Sequence, residues 1–325
     1  MIISILIIAV CFVAFTNGAN ANFKGVASLY GSGTTTLRSA LWLGTTATFA
    51  GSIVAVYIAD DLVKKFSAKG LVEDELLLSP TFTSAVALGA ALTSFLANRF
   101  GFPVSTTHAL VGSLVGAGMS GNHQHVYWGA LGKNFIYPLV FSPLIAIFFG
   151  GIVYWVLRSV RWLPNEKSPM LDLAHFLTAG AASFSRGLND TPKMVALLLI
   201  LPNFSSHPQY TYFLIGTMIA FGGLIDSRRV AETLGKKVTD MTPSQGFASN
   251  LVTAILVTTA SFHSMPVSTT HVSVGSLLGM GVMTKQAKWR KVAEILMAWI
   301  VTLPCGAAFA AIAFHLLRLI APASP

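Results

Sequence analysis

Charged residues are scarce in this sequence: Asp, Glu, Lys and Arg make up only 10% of its 325 positions, whereas a soluble domain carries about 25%. Hydrophobic residues account for 54%, and the mean hydropathy is +0.68. The chain therefore lacks the polar side chains needed to cover a water-facing surface. This composition excludes a disordered chain and a coiled coil. It indicates one membrane protein with several spans rather than two soluble domains.

Cysteine is also rare, since Cys11 and Cys305 are the two present and both lie in apolar runs. This excludes a disulfide framework and a CxxC metal site. The net charge of +9 would suit a nucleic-acid partner if the basic residues were clustered. They are instead scattered through short connecting segments, a distribution that reports membrane topology. We therefore expect no nucleic-acid partner.

Ten segments approach the roughly 20 apolar residues that a helix needs to cross the hydrocarbon core. They are residues 2–30, 38–59, 80–98, 102–119, 136–158, 171–202, 210–225, 243–261, 265–283 and 292–318. A short interfacial helix is predicted at 61–69. The start of the chain resembles a secretion signal with an Ala19-Asn20-Ala21 cleavage pattern. Because no Lys or Arg precedes its apolar run, we expect this segment to be a retained span.

Two motifs occur twice, in the same order. The segment FTNGANANFKGVA at 15–27 aligns with FSRGLNDTPKMVA at 184–196, an offset of 169 residues. PVSTTH occurs at 103–108 and again at 266–271, and both copies continue into Val-Gly-Ser-Leu. Such ordered matches indicate an internal repeat. We predict repeat 1 at 1–158, repeat 2 at 171–325 and a connecting cytoplasmic loop at 159–170.

Five spans in each half, an odd number, mean that the two repeats enter the membrane from opposite sides. With the N-terminus outside, thirteen Lys and Arg residues fall in inside loops and four fall outside, as the positive-inside rule requires. The inside residues are Arg38, Arg99, Arg158, Arg161, Lys167, Arg228, Arg229, Lys236, Lys237, Lys285, Lys288, Arg290 and Lys291. The outside residues are Lys64, Lys65, Lys69 and Arg318. The predicted fold class is an all-α integral membrane protein, an inverted-topology repeat of two five-segment halves with broken or re-entrant helices and both termini outside. This architecture is typical of secondary transporters.

The PVSTTH motif has the composition of a helix start that binds an anion. Proline suits a first turn, Ser and Thr cap helices, and a helix N-terminus offers free N–H groups to an oxyanion. Two copies related by a pseudo-two-fold axis could surround one small tetrahedral anion near the membrane midplane. The alternative is that these hydroxyls only bond their own backbone or hold helices together.

The motifs at 15–27 and 184–196 place Asn, Gly and charged residues inside otherwise apolar segments. We expect both motifs to break their helices. At membrane depth the freed backbone groups must then be buried in protein or line a wet cavity. Unwound carbonyls and Asn or Asp oxygens are cation ligands, and a buried carboxylate such as Asp190 is functional by default. A kink held by neighbouring helices is the alternative.

Histidine and glycine follow each PVSTT stretch. His108 and His271 have no second ligand at i+3 or i+4, so we expect packed hydrogen-bond partners rather than a metal pair. The glycines that follow are expected to allow close helix packing. They are Gly112, Gly116, Gly118, Gly275, Gly279 and Gly281.

The NGAN and RGLND segments, combined with two PVSTTH copies, resemble the inorganic phosphate transporter (PiT) family over nearly the whole chain. The resemblance implies a multi-pass protein of the cell (inner or plasma) membrane that is not an enzyme. It implies symport of inorganic phosphate with Na⁺, or less often H⁺, no other cofactor, contact with membrane lipid and a possible homodimer. The implied phosphate ligands are Ser105, Thr106, Thr107, Ser268, Thr269 and Thr270. The implied cation and substrate ligands are Asn17, Asn20, Asn22, Asn189 and Asp190, of which Asn20, Asn189 and Asp190 would hold Na⁺.

The sequence departs from the family pattern at three acidic positions. Ala21 stands at the aspartate of the first GAND motif, and Thr48 and Asn250 stand where the family usually has glutamate. Asp190 is the acid that remains. Sulfate transport by the same fold is the first alternative. Because hydrogen phosphate can donate a hydrogen bond to a carboxylate and sulfate cannot, Asp190 favours phosphate.

Two further alternatives belong to other functional classes. An intramembrane enzyme could use Ser105 or Thr106 near His108, but one active centre does not explain why the motif is duplicated. An anion channel is compatible with the same sequence. Concentrative uptake driven by an ion gradient would separate a transporter from a channel.

Overall fold

Ten long helices form the fold in the computed structural model, which describes residues 1–68, 71–120, 126–160, 168–236, 238 and 240–320. They are α1 (Ile2–Ala21), α2 (Leu37–Val54), α3 (Pro80–Arg99), α4 (Thr106–Met119), α5 (Tyr137–Ser159), α6 (Pro169–Leu198), α7 (Pro208–Asp226), α8 (Pro243–Phe262), α9 (Thr269–Met283) and α10 (Trp289–Ile320). Each helix overlaps one of the ten predicted segments, although the first predicted segment, 2–30, extends past the end of α1 at Ala21. The positions of the helices therefore follow from the hydropathy of the sequence.

Short helices lie in the connections between the long ones. They are Ala27–Gly31, Ala55–Tyr57, Asp60–Phe66, Asp74–Leu77, Trp128–Leu131, Gly132–Ile136, Pro202–Ser205 and Arg228–Lys236. The helix Asp60–Phe66 lies where an interfacial helix is predicted at 61–69, although residue 69 is outside the described residues. The predicted connecting loop at 159–170 lies mostly outside them as well, at 161–167.

Five of the described helices are long and apolar enough to cross a membrane. They are Ile2–Ala21, Leu37–Tyr57, Pro80–Arg99, Trp128–Ser159 and Trp289–Ile320. By contrast, α4 and α9 have 14 and 15 residues, or about 21 and 22 Å at 1.5 Å per residue. The hydrocarbon core is roughly 30 Å thick. These two helices are therefore too short to cross it alone, and non-helical chain at 102–105 and 265–268 precedes them.

The helices of the two halves pack on one another reciprocally. Helix α1 packs against α7 of the second half, as α6 packs against α2 of the first. Helix α4 packs against α10, as α9 packs against α5. Within the halves, α1 contacts α3 as α6 contacts α8. The motif-bearing helices α1, α4, α6 and α9 therefore all have neighbours from the opposite half.

Glycines set the distance between the paired helices. A Cβ atom added at Gly116 would lie 2.0 Å from the carbonyl oxygen of Ala307 on α10. One added at Gly279 would lie 2.0 Å from that of Ile147 on α5. Gly112 and Gly275 approach the backbones of the same two helices, whereas Gly118 faces valine side chains. The prediction of close helix packing is confirmed at four of these positions.

We expect Gly116→Ala to destabilise the protein, although alanine is the better helix former by about 1 kcal/mol. The new methyl group would overlap the α10 backbone, and overpacking of this kind costs typically 1–3 kcal/mol. Gly129→Ala is the matched control, because no atom of the described residues lies within 4 Å of a Cβ added there. Thermal unfolding of both variants in detergent is the measurement. A Gly116→Ala variant as stable as the parent would contradict the packing argument.

Candidate functional site

Both PVSTTH segments start a helix inside the protein. Ser105 Oγ accepts a hydrogen bond from the His108 backbone N–H at 3.1 Å, and Ser268 Oγ accepts one from the His271 N–H at 3.2 Å. The prolines lie in the non-helical chain before these caps, so their predicted place in the first turn is wrong. The serine supplies the capping oxygen, and the helix begins at the threonine that follows. The remaining first-turn N–H groups have no acceptor within their helix.

The two segments meet each other across the boundary between the halves. Thr107 Oγ1 donates to the carbonyl oxygen of Val267 at 3.3 Å, and Thr270 Oγ1 donates to that of Val104 at 2.8 Å. The six serines and threonines of the two segments are at most 6% exposed. The structure therefore brings the predicted anion ligands of both halves to one buried place.

Two lysine side chains bridge the two PVSTTH segments with hydrogen bonds. Lys24 Nζ donates to Thr270 Oγ1 at 2.5 Å and to the Val104 carbonyl at 2.7 Å. Lys193 Nζ donates to Thr107 Oγ1 at 2.8 Å and to the equivalent valine carbonyl of the second segment at 3.0 Å. These lysines occupy equivalent positions of the repeated motif. Each of them therefore contacts the segment of its own half and the segment of the other half.

Asp190 lies among cations beside the second segment. Its Oδ1 is 2.9 Å from Lys193 Nζ, and its Oδ2 is 3.4 Å from Arg186 Nε. Thr269 Oγ1 donates to Oδ2 at 3.1 Å. The carboxylate is buried, and its charge is balanced by two ion pairs within the same helix. It also contacts a predicted phosphate ligand directly.

Lys24, Arg186, Asp190 and Lys193 form one buried charged centre. Within it, Arg186 connects the second half to the motif of the first half. Its Nη2 donates to Asn17 Oδ1 at 2.8 Å, and its Nη1 donates to Asn22 Oδ1 at 2.6 Å and to Thr48 Oγ1 at 3.2 Å. Asn17 in turn donates to Thr106 Oγ1 at 2.9 Å. The side-chain oxygens of both asparagines thus accept from a guanidinium, which makes them positioning groups rather than open cation ligands.

The asparagines in equivalent positions of the two motifs make different contacts. Asn20 Oδ1 accepts from the Val104 N–H at 3.1 Å, and its amide donates to the Phe102 carbonyl at 2.9 Å. Asn20 therefore clamps the extended chain before α4. Asn189 donates to Ser261 Oγ at 3.1 Å, but its buried Oδ1 has no hydrogen-bond partner in the part of the chain that the structure describes. A buried oxygen without a partner calls for an explanation, and it is available to a cation.

The backbone differs between the two motifs. Helix α1 ends at Ala21 and a turn leads to Ala27–Gly31, so the predicted break is confirmed there. In the second half the prediction is wrong, because α6 runs unbroken to Leu198 with Pro192 inside it. A proline removes the donor of one helical hydrogen bond, and the ion pairs of Asp190 at i−4 and i+3 suit a continuous helix. Unwound carbonyls are therefore a feature of the first motif and not of the second.

The two histidines pack against each other behind the hydroxyls. The ring centroids of His108 and His271 are 4.6 Å apart. His271 Nδ1 is 3.1 Å from the Leu139 carbonyl, and its ring stacks on Trp299 at 3.9 Å. Trp299 Nε1 donates to the Pro103 carbonyl at 2.9 Å. His271 is thus the packed hydrogen-bond partner that the sequence predicts, whereas the buried Nδ1 of His108 has no hydrogen-bond partner among the described residues.

The ligands predicted from the sequence do not include the three basic residues of the centre. Lys24, Arg186 and Lys193 contact the hydroxyls or asparagines of both motifs, and each is at most 2% exposed. A signal for them exists in the sequence, because ionisable residues at membrane depth are functional by default. The two lysines also align when the motifs are superposed.

The fold is shared with a solved structure. A solved structure described as "The sodium-dependent phosphate transporter" matches 98% of this chain and 100% of its own chain, with a TM-score of 0.83 at 24% identity. This chain therefore shares that all-helical fold, with repeated halves and several apolar helices.

A family model described as the phosphate transporter family matches residues 17–169 and again residues 162–310. This chain belongs to the phosphate transporter family, whose members are multi-pass membrane proteins and not enzymes. A "Probable low-affinity inorganic phosphate transporter" of Bacillus subtilis (strain 168) is 27% identical over 98% of this chain and 99% of its own length. A protein of the same description from Rhizobium meliloti (strain 1021) is 30% identical over 76% of this chain and 78% of its own.

Proposed function

We propose that this protein is a secondary active transporter that binds inorganic phosphate between its two PVSTTH helix starts. Family membership supports phosphate as the substrate. The observation that carries the site is the crosswise contact of Thr107 with Val267 and of Thr270 with Val104. The proposed ligands are Ser105, Thr106, Thr107, Ser268, Thr269 and Thr270. Because all six are buried, phosphate can enter only when the halves move relative to each other, as alternating access requires.

We further propose an inverted-topology repeat with both termini outside, in the cell membrane. Its repeats are residues 1–158 and 171–325, joined by a cytoplasmic connection. The reciprocal packing of the halves supports this arrangement, as does the excess of Lys and Arg in the loops assigned to the inside. Opposite orientations of the two repeats would let one phosphate meet equivalent helix starts from both.

A cation gradient is proposed to drive uptake, with sodium as the first candidate and protons as the second. The open Oδ1 of Asn189 supports a cation position in the second motif, and Asp190 is the acidic residue that follows it in sequence. The transporter of similar structure is itself named as sodium-dependent, which favours sodium as the first candidate. Asn20 in the first motif would act on this site indirectly, by holding the chain before α4.

Phosphate is favoured over sulfate by the acceptor at the site. Asp190 Oδ2 already accepts from Thr269, so the carboxylate is within reach of a ligand held by this hydroxyl. Hydrogen phosphate can donate its proton to such an oxygen, whereas sulfate has none to donate. Bound sulfate would leave the Asp190 carboxylate without this hydrogen bond. A site whose buried polar group is left unpaired by an analogue discriminates strongly against that analogue.

Uptake of radiolabelled phosphate into proteoliposomes tests the function. We expect concentrative uptake under an imposed sodium gradient, collapse of uptake with an ionophore, and weaker competition by sulfate than by arsenate. Protein-free liposomes are the control. Entry that stops at equal concentrations on both sides would indicate a channel, and stronger competition by sulfate than by phosphate would indicate a sulfate transporter.

A further inference from the structure

The buried centre carries more positive than negative charge. Among the described residues, the charged side chains classed as buried are Lys24, Arg186, Asp190 and Lys193, each at most 3% exposed. Three are cationic and one is anionic, which leaves a net charge of +2. Charge buried without compensation is costly and is normally paired. An anion of charge −2, such as hydrogen phosphate, would balance it.

The two lysines differ in how their charge is compensated. Lys193 forms an ion pair with Asp190 at i−3. The equivalent position relative to Lys24 is Ala21, so no carboxylate stands there, and the hydrogen-bond partners of Lys24 are a hydroxyl and a carbonyl. An ammonium group has three N–H donors, and the described residues accept from two of them. Lys24 is therefore the cation with both charge and a donor to offer a ligand.

The position of Lys24 is also suitable for an anion ligand. Its ammonium lies 2.5 Å from Thr270 Oγ1, a proposed phosphate ligand of the second PVSTTH segment. It lies 2.7 Å from the carbonyl oxygen of Val104, in the first PVSTTH segment. Lys193 holds the matching threonine and carbonyl, Thr107 and Val267, of the same paired segments. An anion beside Thr270 would meet this ammonium directly and would relieve the repulsion among the three cations.

We propose that Lys24 is a phosphate ligand and that the fixed cations Lys24, Lys193 and Arg186 compensate the charge of bound phosphate, so that phosphate binds without sodium. This inference rests on the proposed function and concerns the same site. Sodium, where it drives transport, then acts on the movement of the halves rather than on the affinity for phosphate.

Equilibrium binding of radiolabelled phosphate to the purified protein tests the proposal. Binding is measured in sodium chloride and in choline chloride, and we expect affinities that agree within about threefold. Lys24→Gln should weaken binding in both buffers by about ten- to a hundred-fold, the effect of losing a hydrogen bond to a charged group. The exposed Lys133 supplies the control Lys133→Gln, which should bind as the parent does.

Ala21→Asp is a second variant that leaves Lys24 in place, in case Lys24→Gln does not fold. It restores a carboxylate three residues before the lysine and lowers the net charge of the centre to +1. We expect weaker phosphate binding in choline and recovery when sodium is added, which would make binding sodium-dependent.

The outcomes separate the inference from the function on which it rests. Phosphate binding by the parent that requires sodium overturns the inference and leaves the proposed function standing. So does a folded Lys24→Gln variant with unchanged affinity, or an Ala21→Asp variant that binds as the parent does in choline. Folded parent protein that binds no phosphate in either buffer overturns the proposed function itself.

Discussion

The double variant Thr107→Val, Thr270→Val is expected to lose measurable phosphate binding. Each substitution removes one hydroxyl at nearly constant volume. A hydrogen bond to a charged group is worth roughly 1.5–3 kcal/mol, or about ten- to a hundred-fold in affinity. If the two effects add, the loss reaches about 10²- to 10⁴-fold, although members of one network need not add. The single variants should each show the smaller loss.

These threonines also hold the lysines, which makes a control for stability necessary. Thr107 Oγ1 accepts from Lys193 Nζ, so its loss leaves a buried donor unpaired at a cost of about 1–3 kcal/mol. Thr217→Val is the matched control, because the Thr217 hydroxyl is exposed and bonds the Phe213 carbonyl of its own helix. Binding and thermal unfolding are measured on the same preparations. Unchanged phosphate affinity in the singles and the double would refute a direct role for these hydroxyls.

The positions of the helices could be predicted because they depend on local sequence. Each of the ten apolar segments contains one long helix, since a run of apolar residues at membrane depth must satisfy its backbone internally. The helix starts at Ser105 and Ser268 were also predictable, because a serine cap bonds an N–H only three residues away.

The course of the backbone through the second motif was not predictable in the same way. Gly187 and Pro192 both favour a break when read locally. In the structure they are outweighed by packing, since α6 lies against α2 and α8, and by the helical spacing of Arg186, Asp190 and Lys193. Local propensity is a weak prior where tertiary contacts act.

The contacts of individual polar side chains depend on the whole fold. Lys24 and Thr270 are separated by 246 positions in sequence, so the pattern around Lys24 could mark it as unusual but could not assign its partner. The same holds for Asn20 and Asn189, which align in the motifs. One clamps backbone of its own half and the other leaves an oxygen open, a difference that comes from their neighbours.

Removal of the carboxylate at Asp190 bears on both coupling and selectivity. Asp190 is the buried acid of the described centre and pairs with Arg186 and Lys193. Breaking a buried ion pair by deleting one partner costs about 3–5 kcal/mol, so Asp190→Asn should lower the unfolding temperature. Asp172→Asn on the same helix is the control, because Asp172 lies in its first turn, far from the centre.

We expect Asp190→Asn to abolish gradient-driven phosphate uptake and to reduce the preference for phosphate over sulfate. The substitution removes the negative charge proposed to bind the coupling cation and the oxygen that would accept the proton of hydrogen phosphate. Uptake is measured against sodium at fixed pH, then against pH at fixed sodium, with sulfate as competitor. Normal dependence on both cations in a folded Asp190→Asn variant would mean that Asp190 only stabilises the structure, and that cation coupling resides elsewhere in the protein.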